Sequence, residues 1–188
     1  MILQQEDDIK VVVEEAKKDP QAFVKIYDLF FEKIYTYAYY KVGNATEAED
    51  ITEQVFLKAL EAIGRYTWKK GVPFSSWIFK IAHNQVVDYF RAQGKVINKA
   101  IDEEQINKLP DEKRSFEEEV DLKLLLEDAQ KAISKLNEDQ QSVILLKFLS
   151  GFSNAEIANF LNKSEGAVKS LQHRVLVSLR ELLKERFK

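Results

Sequence analysis

Residues 74–91 read FSSWIFKIAHNQVVDYFR. Apolar side chains recur in this segment at three- and four-residue spacing, which is the period of an amphipathic helix. They are Phe74, Trp77, Ile78, Ile81 and Ala82. Gly71 and Pro73 favour a turn just before the segment, and Gly94 favours a stop just after it. The pattern therefore predicts one helix over residues 74–91.

The polar side of this helix is rich in basic and hydrogen-bonding groups. Residues 65–95 carry six Lys or Arg side chains against one acid, Asp88, and aromatic residues lie among them. Cations neutralise phosphates and aromatic rings stack on bases, so the segment is typical of a nucleic-acid contact. An amphipathic core helix with a solvated back has the same pattern, and this segment alone does not separate the two.

The composition is that of an ordinary folded protein without disulfides. The chain has 188 residues, 45% hydrophobic and 31% charged, with no cysteine and a net charge of −3. The length suits one domain or two small ones, and the lack of cysteine excludes thiolate metal sites. The acidic N-terminus lacks a long apolar run, so we expect no signal peptide or membrane span and the cytoplasm as compartment.

Helical periodicity recurs along the chain, and no strand-like alternation of useful length appears. We therefore predict an all-α fold. Periodicity lapses over residues 96–119, where acids accumulate, and such a composition is typical of a flexible linker. The sequence thus predicts two small helical domains, residues 1–95 and 120–188, joined by an acidic flexible linker at 96–119. The second domain contains a helix-turn-helix.

Capping residues and a charged face mark a helix at residues 46–63. Thr46 begins a capping-box pattern there, just as Ser75 or Ser76 is expected to cap the helix at 74–91. The outer side of helix 46–63 exposes a leucine beside charged groups, which usually has no function but on a helix-packing surface can be a partner site. This side carries Asp50, Glu53, Gln54, Leu57 and Lys58.

The loop between these helices reads RYTWKKGVP at residues 65–73. Its two aromatic residues, Tyr66 and Trp68, and its three cations suit base stacking and phosphate contact. The two rings could instead fold back as a lid on the core. The sequence leaves both interpretations open.

A helix-turn-helix pattern lies at residues 153–174. Ser153 opens the first helix with a capping box, residues 162–163 form a tight turn, and Ser164 caps the second helix. The second helix exposes residue types that can contact base edges and phosphates in a major groove. They are Glu165, Lys169, Ser170, Gln172, His173 and Arg174. An ordinary helical hairpin is the alternative, but the caps, the short turn and the basic face together favour DNA binding.

Two blocks of the sequence resemble one family. DITEQVFLKA at residues 50–59, followed by residues 74–91, resembles the second region of bacterial RNA polymerase sigma factors, and residues 153–174 resemble the fourth. The short linker and the lack of a middle domain are similar to the extracytoplasmic-function (ECF) group. The resemblance covers about residues 20–95 and 120–185. A helix-turn-helix alone is generic, whereas both blocks in this order are specific.

The resemblance implies a sigma factor that binds core RNA polymerase, directs it to promoters and helps to open the DNA, with no catalysis, metal or cofactor of its own. It implies that helix 46–63 docks on the clamp helices of the largest polymerase subunit through Asp50, Glu53, Gln54 and Lys58. The acidic linker would follow the RNA exit path, and the group admits an anti-sigma protein as a further partner.

The resemblance also assigns two sets of DNA contacts. The minus-ten element would be held by Arg65, Tyr66, Lys69, Lys70, Lys80, His83, Asn84, Asp88 and Arg91, with Asn84 the leading candidate. The minus-thirty-five element would be held by Ser164, Lys169, Ser170, Gln172, His173 and Arg174. Two rival hypotheses remain: an independent helix-turn-helix regulator that never joins polymerase, and a helical protein–protein adaptor whose basic faces are merely solvated.

Overall fold

A computed structural model of the chain describes residues 2–69, 71–94 and 130–184. The predicted linker at 96–119 lies outside these ranges. Within them the chain is helical apart from turns and one isolated bridge, between Lys69 and Val72, which confirms the all-α prediction. None of the described helices is both long and apolar enough to span a bilayer.

Four helices form the N-terminal unit (residues 2–94). They are α1 (Ile2–Ala16), α2 (Val24–Val42), α3 (Ala45–Ile63) and α4 (Phe74–Ala92). A 3₁₀ turn at Pro20–Phe23 leads into α2, and Gly43, with φ of 78°, ends α2 in the left-handed conformation that glycine adopts at low cost. Helices α2, α3 and α4 pack on one another around large, fully buried side chains. These include Ile26, Ile34, Tyr37, Phe74 and Phe79.

The C-terminal unit (residues 130–184) begins with helical residues 130–134. Its named helices are α5 (Glu138–Ile144), which continues as a π-helical turn at Leu145–Leu149, then α6 (Asn154–Leu161) and α7 (Glu165–Lys184). Asn137 and Ser153 form the capping boxes of α5 and α6 with the side chains three residues on. Asn162 is left-handed, with φ of 53°, and turns the chain between α6 and α7. The predicted helix-turn-helix is therefore present.

Two predicted helix caps are wrong. Helix α3 is capped by Asn44, whose side chain accepts from the Glu47 backbone N–H, so it begins before Thr46. Helix α4 follows Pro73 without a side-chain cap, and Ser76 is buried with its Oγ unpaired. In both places the extended N-cap residue, Asn44 or Pro73, lies two or three residues before the residue that the local pattern favours.

The two units pack directly against each other. The Phe79 ring of α4 meets the Phe152 ring, which precedes α6, edge-on at 5.1 Å between centroids. Lys41, at the end of α2, is buried and donates a hydrogen bond of 3.1 Å to the Ser142 hydroxyl of α5. The hydrophobic core therefore continues from one unit into the other.

Candidate nucleic-acid and protein interfaces

The outer side of α3 is a polar strip with two apolar residues at its edge. Asp50, Glu53, Gln54 and Lys58 are all exposed, while Ile51, Val55 and Ala59 of the same helix are buried. Leu57 is 47% exposed and Leu60 39% exposed beside the strip. The two leucines leave apolar area beside the strip that a partner protein could bury.

The loop before α4 folds back on the core. Tyr66 is only 9% exposed, and its ring lies about 5 Å from those of Trp68, Phe74 and Trp77. The structure therefore supports the interpretation in which the Tyr66 and Trp68 rings fold back as a lid on the core. Arg65 and Lys69 are exposed in the same loop. Lys70 lies outside the described residues.

A carboxylate of α1 holds this loop in place. The Glu14 carboxylate accepts hydrogen bonds from the Trp68 indole N–H at 2.7 Å and from the Lys17 ammonium at 2.6 Å. The Lys17 ammonium lies 5.5 Å from the centre of the Tyr66 ring, within range of a cation–π interaction. The hydrogen bonds from Lys17 and Trp68 lower the pKa of Glu14. The sequence analysis missed Glu14, because its partner lies 54 positions away and no local pattern links the two.

The polar face of α4 is divided between solvent and the C-terminal unit. Asn84 is exposed, and Asp88 and Arg91, also exposed, pair with each other at 2.9 Å. Lys80 is exposed but places its ammonium 5.3 Å from the centre of the Phe160 ring of α6. Of the five polar residues predicted on this face, Lys80 and His83 contact the C-terminal unit, whereas Asn84, Asp88 and Arg91 face solvent.

His83 lies where α4 approaches both α2 and the C-terminal unit. Its Nδ1 is 3.2 Å from the Tyr37 hydroxyl, its Nε2 is 3.9 Å from Glu138, and its ring is edge-on to Phe160. Burial, with the Lys41 and Lys80 charges, lowers the pKa of His83 to about 4. The imidazole is therefore neutral at pH 7, and its approach to Glu138 is a contact without an ion pair.

A cleft of about 660 Å³ opens between the loop, α4 and the end of α6. Its wall from the N-terminal unit is basic and aromatic, with Arg65, Lys69, Trp77 and Lys80. Its opposite wall consists of Asn159, Phe160 and Asn162 from the helix-turn-helix. Cations and rings around one cleft suit an anionic, planar group such as a nucleotide.

The outer face of α7 is open and locally ordered. Lys169, Ser170, His173 and Arg174 are exposed, and the Ser170 hydroxyl and the Arg174 Nε donate to backbone carbonyls one turn earlier. Ser164 is exposed and caps the helix by accepting from the Ala167 N–H. These side chains are free to approach a groove.

Gln172 differs from its neighbours on α7. It is half-buried and donates to Asn154 Oδ1 at 2.8 Å, which ties α7 to the start of α6. Leu171, beside it, is buried in the helix-turn-helix core. The predicted minus-thirty-five residues thus lie on α7 or at its N-terminal cap. Gln172 differs from the others because it also contacts α6.

Comparisons with known proteins agree with this arrangement. The sigma-70 region 2 family model matches residues 26–96, and the sigma-70 region 4 family model matches residues 126–179. The chain is 36% identical over 169 residues to the ECF RNA polymerase sigma factor BldN of Streptomyces coelicolor, a match that covers 88% of this chain and 61% of that protein. It is 32% identical over 188 residues to the ECF RNA polymerase sigma factor SigW of Bacillus subtilis, covering 94% and 97%.

Two solved structures have the same fold. CnrH, solved in complex with the cytosolic domain of CnrY, superposes with a TM-score of 0.69 at 20% identity and covers 93% of this chain and 96% of that one. The sigma factor RpoE of Bartonella quintana, solved with the anti-sigma factor NepR, superposes with a TM-score of 0.67 at 25% identity and covers 86% and 96%. Both likenesses extend across the N-terminal and the C-terminal unit.

Proposed function

Because the chain belongs to the ECF group of RNA polymerase sigma factors, we propose that it divides its contacts among three of its faces: α3 for core polymerase, α4 with its loop for the minus-ten element, and α7 for the minus-thirty-five element. A sigma factor binds core RNA polymerase, directs it to promoters and helps to open the DNA, and it is not an enzyme. The working compartment that we propose is the cytoplasm, where the polymerase lies.

The polymerase contact rests on the exposed polar strip of α3. Asp50, Glu53, Gln54 and Lys58 leave the apolar side of the helix free to hold the core of the unit. Leu57 adds apolar area that a partner could bury. By the resemblance, the partner is the pair of clamp helices of the largest subunit. This strip is the observation that carries the polymerase contact, and the matches to sigma-70 regions 2 and 4 favour a sigma factor over an adaptor or an independent regulator.

The minus-ten contact rests on the cleft beside α4. Promoter opening by such a protein needs no covalent step, since unpaired bases are held by stacking and by hydrogen bonds to their edges. Asn84, exposed on α4, has the donor and acceptor that a base edge requires. Arg65, Lys69 and Lys80 supply charge for phosphates.

The minus-thirty-five contact rests on α7. Lys169 and Arg174 are suited to phosphates, and His173 and Ser170 to base edges. Gln172 is proposed as a support for α7 as well as a contact, because its amide already bonds to Asn154. An anti-sigma protein is a further partner that we propose, since RpoE was solved bound to one.

Association with core polymerase tests the proposal. Asp50→Ala combined with Gln54→Ala should weaken copurification with core enzyme, while the helical circular dichroism stays unchanged. Asp28→Ala combined with Glu32→Ala is the matched control, because these exposed side chains lie on α2, outside the strip. If the α3 double variant copurifies as well as wild type does, the α3 assignment is wrong. Failure of the wild-type chain to bind core enzyme would favour the two rival hypotheses, an independent regulator or an adaptor.

A further inference from the structure

The cleft between the loop at residues 65–73, α4 and α6 carries positive charge that no carboxylate of its walls offsets. Arg65, Lys69 and Lys80 line it and are exposed, and none of the described residues that line it is acidic. Its volume of about 660 Å³ lies within the range of small-molecule sites, roughly 300–1,000 Å³. Three cations around a space of this size suit a compact anion with several negative charges.

The N-terminus of α4 opens on the same cleft. Val72 and Ser76, on either side of the first residue of this 19-residue helix, both line the cleft. The N-cap residue, Pro73, makes no side-chain hydrogen bond to the first turn. The N–H groups of a helix N-terminus and the positive end of the helix dipole both favour an anion at this position.

Ser76 supplies an independent indication of a ligand. The residue is only 7% exposed, and its Oγ has no hydrogen-bond partner within the part of the chain that the structure describes. Buried polar atoms are nearly always paired, because leaving one unpaired destabilises the fold. The side chain lines the cleft, and a serine hydroxyl changes direction by a change of rotamer. Its Oγ can therefore donate to an anion that is bound there.

The remaining walls of the cleft suit a base as well as phosphates. The Trp77 and Phe160 rings line the cleft from the two different units, and a base can stack on such rings. Asn159 and Asn162 line the wall opposite α4 and are exposed. Each of these amides offers both a donor and an acceptor to a base edge. Groups suited to phosphates and groups suited to a base thus lie in one cleft.

We propose that this cleft is a binding site for a free nucleotide, a nucleoside di- or triphosphate, whose phosphates lie at Ser76 and the N-terminus of α4. The cations of the cleft neutralise the phosphates, and the base lies against Trp77 with its edge toward Asn159. Because the nucleotide uses cations of the proposed minus-ten contact, it excludes single-stranded DNA from them. This consequence rests on the proposed function, whereas the nucleotide site itself does not.

Isothermal titration calorimetry of the full chain with ATP, ADP, inorganic triphosphate and adenosine tests the site. We expect saturable binding of ATP and ADP, weaker binding of inorganic triphosphate, and the weakest binding of adenosine. Ser76→Ala should weaken ATP binding about tenfold, because a hydrogen bond to a charged group is lost. The fold should tolerate this change, since the hydroxyl that it removes is unpaired. Lys80→Gln should act in the same direction, and Lys131→Gln, exposed and outside the cleft, is the matched control.

Trp77 reports where the base lies. The chain has two tryptophans, so Trp68→Phe leaves Trp77 as the only one. ATP should quench the fluorescence of Trp77 with the same midpoint that calorimetry gives for this variant. Inorganic triphosphate should bind without that quenching, because it has no base to stack.

Two asparagines separate the nucleotide from promoter DNA. Asn159 lines the cleft and belongs to neither proposed DNA face, so Asn159→Ala should weaken ATP binding about fivefold and leave the affinity for a fluorescein-labelled oligothymidine unchanged. Asn84 is exposed on α4 outside the cleft, so Asn84→Ala should have the opposite pair of effects. Unlabelled ATP should displace the oligothymidine from the wild-type chain.

The outcomes keep the two proposals apart. The nucleotide site is wrong if ATP gives no saturable heat, or if Ser76→Ala and Lys80→Gln both bind ATP as wild type does. Inorganic triphosphate that binds as tightly as ATP would overturn the assignment to a nucleotide. Failure of ATP to displace oligothymidine would overturn the shared use of the cations. Normal ATP binding by a chain that does not bind oligothymidine would support the nucleotide site and contradict the proposed minus-ten contact.

Discussion

The two surfaces proposed for DNA are built in opposite ways. The α7 face comes from one helix, is exposed, and takes its order from hydrogen bonds within a single turn. The minus-ten face combines a loop and a helix, is braced by α1, and contacts the C-terminal unit at Lys80 and His83. A surface of the first kind can be altered one residue at a time. In a surface of the second kind, the same side chains contact the ligand and stabilise the fold, so a substitution changes both.

The largest difference between the two faces should be in stability, when an aromatic residue is removed from the minus-ten face. Tyr66→Ala deletes a buried ring that contacts Trp68, Phe74 and Trp77, and truncating a buried aromatic costs about 3–5 kcal/mol of unfolding free energy. Arg174→Ala, on the exposed α7 face, should change that free energy by less than about 0.5 kcal/mol. Urea denaturation followed by circular dichroism measures both.

Tyr66→Phe is the control for a role of the hydroxyl in DNA contact. It keeps the ring and should retain most of the stability. If Tyr66→Ala proved as stable as Arg174→Ala, the ring would not belong to the core, and the base-stacking interpretation would be the better one.

The second prediction separates base contacts from phosphate contacts within the α7 face. His173→Ala should cost about 1–3 kcal/mol on a preferred duplex and less on a scrambled one, as expected for a residue that contacts a base edge. Lys169→Ala should weaken both duplexes alike and flatten the logarithmic salt dependence by about 0.9. Arg174→Ala should show a mixture of both effects.

The measurement is binding of the full chain to a duplex selected from a random pool and to its scrambled counterpart, across a salt series. Asn84→Ala serves as the comparison from the other face, because duplex binding should not require it. Wild-type binding by all three α7 variants on both duplexes would show that this helix does not contact DNA and would favour the adaptor hypothesis.

The same contrast explains what the sequence could predict. The capping boxes at Asn137 and Ser153 depend on side chains three positions apart, so their residue types indicate them directly. The contacts of Glu14 with Trp68 and of Phe160 with α4 join residues that are far apart in the chain, and no local period marks them. The relative placement of the two units could not be predicted for the same reason.

A third prediction uses pH to shift the balance between a docked form, in which the two units pack on each other, and an open form, in which they are separated. His83 is surrounded by the Tyr37 hydroxyl, Glu138, Lys41, Lys80 and the Phe160 ring. Its pKa is about 4 in the docked form and should return toward its usual 6.5 once the units separate. The docked form binds fewer protons, so its stability is full above pH 6.5 and falls as the pH drops toward 4.

Buried Lys41 acts in the same direction at higher pH. Burial lowers its pKa to about 8, against 10.5 in water, so raising the pH through that interval favours docking. Between pH 6.5 and 5 the open fraction should rise by no more than about tenfold per pH unit, the limit for one proton. The chain has no cysteine, so spin labels on cysteines introduced at Glu61 and Lys131, one exposed position in each unit, report the separation through their distance distribution. His83→Gln should remove most of the slope below pH 6.5. An equal slope in that variant would contradict the assignment to His83.

The smallest effect expected is that of Glu14, whose role is to hold the minus-ten loop and not to hold the fold. Glu14→Ala removes the acceptor of the Trp68 N–H and the partner of Lys17, yet a half-exposed ion pair contributes only about 0–1 kcal/mol to stability. What should change is the exposure of Trp68 in the loop. With Trp77 replaced by Phe, Trp68 is the only remaining tryptophan, and acrylamide should quench it more strongly in Glu14→Ala than in the parent.

Matched variants show whether the change in quenching is specific to the Glu14 carboxylate. Glu15→Ala removes the neighbouring carboxylate, which pairs with Lys25 and does not touch the loop, so its quenching should match the parent. Glu14→Gln keeps an acceptor for the indole N–H and should fall between the two. Because the pKa of Glu14 is lowered, its contribution is full above its usual value of 4.5 and is lost as the pH falls through the lowered pKa. Equal quenching in Glu14→Ala and Glu15→Ala would show that α1 does not brace the loop, and the contrast between the two DNA faces would then rest on the docking alone.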